Sequence, residues 1–365
     1  MNKILISIFF LCLPVSALAQ DAVGQMESRQ VQGEVLEIQD LSIIDGYRQM
    51  KFQVRGDDQK IYDVNTADSY LEGLRYNIQP GNRVILQIFP EADGSETAHL
   101  ADAVRTNGLL WVLIVFSLLI LIVGLWRGLL ALLGLGITVL VLFVYIFPNI
   151  LSGADPLNTV LLGSAVILAV NLPITHGFNK MTAMAFVGTL AGLALSVLTA
   201  KFFMAMSFLS GLGSEEAVYL TWQVQNIKAD GLLLAAIVLG AVGVFDDVAI
   251  NQATVVAELK KADPNLKTVQ LARQAMRVGR HHIASMVNTL VLAYAAVAMP
   301  LFLLFLNSDV DWVAFVNTEV VAEEIVRTLA GTSALVLTVP ISTWLAAWIA
   351  TDKHGASFDN EEFHR

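Results

Sequence analysis

The sequence predicts an α-helical polytopic membrane protein preceded by a small extracytoplasmic β-barrel-like domain. Three observations predict it. The 365-residue chain is 56% hydrophobic and only 15% charged, against about 25% charged in ordinary soluble domains. From Leu109 onward, apolar runs long enough to span a bilayer follow one another. Ahead of them, the stretch 20–105 alternates polar and apolar positions between turn signals.

The N-terminus has the parts of a signal peptide, expected over 1–19. Lys3 supplies the positive region, Ile4–Leu13 the apolar core, and Ala17-Leu18-Ala19 the small-residue cleavage site. Cys12 is the only cysteine. A chain cleaved before Gln20 would carry no thiol, which excludes disulfides, thiolate metal sites and cysteine nucleophiles.

The β domain, expected over 20–105, rests on alternating segments. These are Val31-Gln32-Gly33-Glu34-Val35, Met50-Lys51-Phe52-Gln53-Val54 and Val84-Ile85-Leu86-Gln87-Ile88. Asp45-Gly46, Gly56-Asp57-Asp58, Pro80-Gly81 and Asp93-Gly94 mark turns. About five short strands in this length point to a small barrel, OB-like or SH3-like, whose closure hides the strand edges.

The helical domain, expected over 106–352, holds about seven transmembrane helices. They fall at about 109–126, 128–147, 157–175, 181–206, 231–256, 283–306 and 326–350. Lys and Arg distribute asymmetrically. With the β domain outside, Arg127, Lys180 and the basic connection 257–282 fall on the cytoplasmic side, as does the tail 353–365. The opposite loops 148–156 and 307–324 carry no Lys or Arg. The net charge of −10 is therefore segregated and is no partner signal in itself. The amphipathic stretch Asn265–Gly279 reads as an interfacial elbow held by membrane lipid. Gly163-Ser164-Ala165 with Pro173, and Gly331-Thr332-Ser333 with Pro340, echo one another in spans three and seven. That echo allows a 3+1+3 arrangement of parallel repeats.

Asp246 and Asp247 lie inside the fifth span, in GLLLAAIVLGAVGVFDDVAINQATVVA. An ionised Asp at bilayer depth costs roughly 2.5–3.5 kcal/mol on insertion scales. Gly243, Asp247 and Asn251 share one face through their spacing of four, and Asp246 points about 100° away. Ser285, Asn288 and Thr289 form a polar group on the sixth span. The two spans join on the cytoplasmic side, so both groups can line one cavity. Pro173 and Pro340 are the candidates for broken helices or gating points at such a site. His281 and His282 read as interfacial, and His176 as a polar end cap.

These residues predict an inner-membrane carrier of a small solute or ion, with the Asp pair as a proton or cation site. The alternative is a non-transporting scaffold or sensor whose β domain binds an envelope partner or ligand. A homo-oligomer is compatible with either. No nucleotide loop, dinucleotide fingerprint, zinc helix or nucleophile elbow occurs. The sequence thus gives no catalytic residue, metal set or cofactor, and the basic residues hug the membrane rather than forming a nucleic-acid surface.

Several segments make the chain similar to the YibE/F-like family of bacterial polytopic membrane proteins. They are Gly243-Val244-Phe245-Asp246-Asp247-Val248, Gly279-Arg280 with Ser285–Leu290 and Leu292-Ala293-Tyr294, and Glu324–Gly331. Phe147-Pro148 and His176-Gly177 resemble its pattern too. The resemblance runs from the β domain through the last span. By it, Asp247 takes the place of an Asp that family members carry here. Where many have Gly-Arg-Asp, this chain has Gly279-Arg280-His281. The resemblance implies the topology, with transport as the suspected activity.

Overall fold

The computed structural model describes residues 28–44, 47–66, 78–91, 95–224 and 226–351. The expected signal peptide, the tail 353–365 and the turns at Asp45-Gly46 and Asp93-Gly94 lie outside the described residues. The chain divides into two compact units, 1–123 and 124–365.

In the first unit five strands close a barrel in the order β1-β2-β3-β5-β4. They are β1 (Arg29–Ile44), β2 (Tyr47–Gly56), β3 (Ile61–Asn65), β4 (Arg83–Pro90) and β5 (Glu96–Ala103). Of the two barrel types left open by the sequence, five strands in this order match the OB-like one. The long β1 pairs with β2 on one side and β4 on the other, and register shifts after Val35 and Ile38 let it curl. At Gly33 it faces both neighbours, and a Cβ there would lie 2.6 Å from the Arg55 carbonyl oxygen. The alternating positions Val35, Phe52, Val54, Val64, Val84, Leu86 and Leu100 fill the interior, as their period of two requires. Outside, Arg29 donates to Tyr62 and Glu96 and pairs with Asp58. The Tyr62 hydroxyl donates to Asp58 at 2.6 Å, and Lys60 pairs with Glu96.

An apolar stretch of 46 residues, Thr106–Leu151, follows. It comprises α1 (Thr106–Val141), a π-helical turn (Leu142–Ile146) and α2 (Phe147–Leu151). At a rise of 1.5 Å per residue it is about twice as long as a bilayer core. Leu125, with φ 47° and ψ −127°, interrupts its helical geometry. The remaining elements are α3 (Pro156–His176), α4 (Lys180–Met206), α5 (Glu215–Gln223), α6 (Ala229–Ala262), α7 (Thr268–Val297), α8 (Met299–Leu306), α9 (Trp312–Asn317) and α10 (Glu319–Thr351). Among the described residues five helices are long and apolar enough to cross a membrane. A sixth is added when α7 and α8, bent by 64° at their junction, count as one broken span.

In the second unit α6 is the central helix and packs against α3, α4, α7 and α10. Phe245, Val248, Leu168, Leu172, Leu335 and Val339 form the middle of this core. Small residues let the backbones approach. Gly188 and Gly192, four apart on α4, face Ser342, Thr338 and Phe245. Added Cβ atoms would lie 2.7 Å from the Ser342 hydroxyl and 2.8 Å from that of Thr338. Buried and half-buried polar side chains tie the helices where they cross. The Thr343 hydroxyl donates to Gln252 Oε1 at 2.9 Å, and Asn171 Nδ2 donates to the Thr138 hydroxyl at 2.9 Å. The loop after α4 is pinned to the start of α10. Ser210 donates twice to Glu319, and the Gly213 N–H donates to Glu323 at 2.9 Å.

Pro173 and Pro340 sit inside α3 and α10, which continue through both. The helix interruptions lie elsewhere, at Leu125 and at Ala298-Met299-Pro300. Each internal proline removes only its own bond to the carbonyl four residues back, and the ladder resumes after it: the Pro173 carbonyl receives the Gly177 N–H at 2.8 Å.

Candidate functional site

The site grows from the pattern of α6. Its buried positions Ala241, Phe245, Val248 and Gln252 turn into the bundle. The opposite stripe Gly243, Asp247, Asn251 and Thr254 is exposed. Asp247 is therefore held on an open face of the most central helix, although the surrounding residues are apolar. Asp246, one position round the helix, is half-buried. Its Oδ1 is fully covered and has no hydrogen-bond partner, a state that costs free energy until something donates to it.

Two histidines join Asp247. His176 and His282 both lie within electrostatic reach of its carboxylate, and Arg127 is close enough to act on His176. The local sequence places each. His176 ends α3, where Gly177 turns the chain at φ 79°. Asn179 then caps α4 by accepting from the Thr182 N–H at 2.8 Å, while its amide returns a hydrogen bond to the His176 carbonyl. His282 is brought in by helix arithmetic. Counting back from Ala262 to Asp247 and forward from Thr268 to His282 gives about 22 Å and about 21 Å of rise. The antiparallel α6–α7 pair therefore sets them level. The packing of Gly279 against Gln252, with a Cβ position 3.2 Å from Oε1, fixes the same register one turn lower. The Nε2 of His282 is buried without a hydrogen-bond partner.

The other sequence-predicted residues divide. Asn251 lies one turn from Asp247 on its exposed stripe. Ser285, Asn288 and Thr289 are exposed on α7. By the same count Ser285 is close to the level of the Asp pair, while Asn288 and Thr289 are level with Gly243, about 6 Å farther on. The Thr289 hydroxyl donates to the Ser285 carbonyl of its own helix at 3.0 Å. Pro173 and Pro340 contribute no break beside the Asp pair. Among the described residues no group of three or more His, Cys, Asp and Glu has the geometry to hold a metal ion.

Sequence reasoning missed His176 and His282 as neighbours of Asp247, and Gln252 and Thr343 as the buried tie beneath them. The signal for His282 was present. A short connector fixes the register of an antiparallel pair, so residues equally far from it face one another. No comparable signal existed for His176, which arrives from a helix 70 residues upstream. Chemically, the cluster offers two carboxylates, two imidazoles and a guanidinium, at the end of α3 and near the middle of α6 and α7. Such a set can exchange protons or hold a small cation.

A family model described as YibE/F-like protein matches residues 112–352, about two-thirds of the chain. The match takes in all the residues of this cluster. It starts after the barrel and is thus narrower at the N-terminal end than the resemblance read from the sequence. No curated protein and no solved structure gives a match.

Proposed function

The chain belongs to the YibE/F-like family, and from that premise we propose that it is a carrier of a small solute or ion in the bacterial cytoplasmic membrane. Asp247 is its proton or cation site, assisted by Asp246, His176 and His282. The observation that carries this reading is the exposed carboxylate of Asp247 on the most central apolar helix, with two imidazoles from other helices in electrostatic reach. A merely structural carboxylate at that depth would be paired and covered, because its exposure to lipid is costly. Seven crossings fit the reading. The stretch Thr106–Leu151 divides at Leu125 into two, and α3, α4, α6, the bent α7–α8 pair and α10 add five. The barrel lies outside and the α6–α7 connector inside, following the basic residues Lys260, Lys261 and Lys267. The cluster then opens toward the cytoplasmic half.

A thermal-stability screen of the detergent-purified chain tests this reading. Monovalent and divalent ions, amino acids, sugars and organic ions are scanned across pH, with Asp246→Asn and Asp247→Asn alongside. A ligand present at a hundredfold excess over its dissociation constant stabilises the folded state by about 2.7 kcal/mol. The expected result is a stabilising condition whose effect is lost in Asp247→Asn. A ligand that stabilises wild type and the folded Asp247→Asn variant equally would remove Asp247 from the site.

A further inference from the structure

The first turns of α7 carry a charge pattern that the Asp247 cluster does not use. Arg273, Arg277 and Arg280 are exposed and fall within about 60° of one another round the helix. The buried positions Leu271, Ala272, Ala275 and Gly279 take the opposite side. Among the described residues no carboxylate pairs with any of the three guanidiniums. The stripe flanks α10, not α6. Gly279, next to Arg280, faces Val339 of α10. His282, within electrostatic reach of Asp247, lies about 160° round the helix from Arg280.

The end of α10 supplies a second, independent feature. Trp344 and Trp348, four apart, are 48% and 60% exposed. Trp344 lies within about 20° of Thr351, whose hydroxyl hydrogen-bonds to that of Thr268 on α7. Trp344 therefore stands on the side of α10 that adjoins α7. The Thr268–Thr351 bond and the approach of Gly279 to Val339 fix the relative height of the two antiparallel helices. Counted from Thr268 and Thr351, Trp348, Arg273, Trp344 and Arg277 follow at about 4.5, 7.5, 10.5 and 13.5 Å. Indoles from one helix and guanidiniums from the other thus alternate along one seam. Val269 on α7 and Leu337 on α10, both exposed, add apolar surface below and above them.

Unpaired guanidiniums alone would suit any anion. Exposed indoles at the same level suit an anion with a hydrocarbon body, because tryptophan gathers at the height of lipid headgroups. Basic positions between helices on the cytoplasmic side are where acidic headgroups bind. We propose that the α7–α10 seam is a binding site for an anionic phospholipid of the cytoplasmic leaflet. Its phosphate accepts from Arg273 and Arg277, and Arg280 reaches down to it from one turn higher. Its acyl chains run up past Trp344 to Leu337. A zwitterionic headgroup would bring its own cation against the three guanidiniums. The site requires α7 and α10 to cross the membrane, but not that Asp247 carry anything.

The test uses the full chain, purified and stripped of lipid in a neutral detergent. Phosphatidylglycerol, phosphatidylcholine with the same acyl chains, and glycerol phosphate are titrated. Binding is read by thermal stabilisation and native mass spectrometry. The expected result is saturable binding of phosphatidylglycerol, about tenfold or more tighter than of phosphatidylcholine, with no effect of glycerol phosphate. Each guanidinium near an anionic headgroup is worth about fivefold in affinity. Arg277→Gln should weaken phosphatidylglycerol by that factor. The triple variant Arg273→Gln, Arg277→Gln, Arg280→Gln should lose the preference over phosphatidylcholine, and Trp344→Leu with Trp348→Leu should weaken both lipids. Equal binding of the two lipids by wild type, or an undiminished preference in the folded single and triple variants, overturns the proposal. Glycerol phosphate competing as well as the intact lipid would make the seam a free-anion site and overturns the lipid assignment. None of these variants touches Asp247, His176 or His282, so this result stands apart from that of the ion screen.

Discussion

The Thr343 hydroxyl of α10 donates to the Oε1 of Gln252 on α6 at 2.9 Å, with both side chains buried. This bond lies one turn below Asp247, and the Gly279 backbone of α7 packs on the same Gln252 amide. Three helices are thereby held at one height, and the common level of Asp247 and His282 depends on it. Thr343→Val should leave the Gln252 amide short of a partner and cost about 1–3 kcal/mol. The measurement is the thermal midpoint of the purified variant against wild type. Gly279→Val should cost at least as much, because its side chain would press on Val339 and Gln252. Unchanged midpoints for both would mean that the three helices are aligned by something other than this contact.

Gly188 and Gly192 permit a close approach of α4 to α6 and α10. Gly192→Leu must drive a side chain into Thr338 and Phe245, and overpacking of a well-filled core costs about 1–3 kcal/mol or more. Loss of monodisperse protein on size-exclusion chromatography is the expected outcome. The same substitution at Gly136, whose Cβ position has open space, should be tolerated.

Glu323 is buried, at 5% exposure, and its carboxylate accepts the Gly213 N–H. Gly213→Ala would set a methyl group 2.7 Å from that carboxyl carbon. Release of the loop 207–214 from α10 is expected, read as faster proteolytic cleavage of that loop and faster amide hydrogen exchange within it. Protection equal to wild type would count against the clamp.

The barrel should show its own pH dependence. Burial, reinforced by the hydrogen bond to Asp58, pushes the Tyr62 phenol up to about 12. A raised folded-state value means that its contribution to stability is complete below about pH 10 and is lost as pH climbs toward about 12. The hydrogen bond from Tyr62 holds Asp58 below the ordinary carboxylate range, and the one from Lys60 does the same for Glu96. Their contribution is present at neutral pH and is lost as pH falls below the ordinary carboxylate values. Subtracting the ultraviolet titration of Tyr62→Phe from that of wild type isolates one phenol. Its midpoint should fall near 12, and a midpoint near 10 would contradict the buried hydrogen bond.

The composition and the spacing of apolar runs were enough to place a helical unit after a strand-rich one. Apolar stretches as long as 106–151 have few other fates, and the period of two across Phe52 and Val54 requires a sheet with one buried face. The Asp246-Asp247 pair and Asn251 stood out because carboxylates are rare in such surroundings. Pro173 and Pro340 lie within helices that continue through them, whereas the interruptions fall at Leu125 and at Ala298-Met299-Pro300, outside any polar motif. Long-range partners were invisible for a different reason. Helical periodicity states which face of one helix is polar, but not which other helix meets it.

The sequence by itself determined the two structural classes, their order along the chain, and the stripe on α6 that carries Asp247, because these follow from local period and composition. Only the tertiary structure decided that His176 and His282 come within electrostatic reach of Asp247, that Gln252 and Thr343 meet, and that the chain bends between α7 and α8. Each of these needs the register and crossing of separate helices. That geometry is set by small residues such as Gly188, Gly192 and Gly279, whose missing side chains allow the backbones to close.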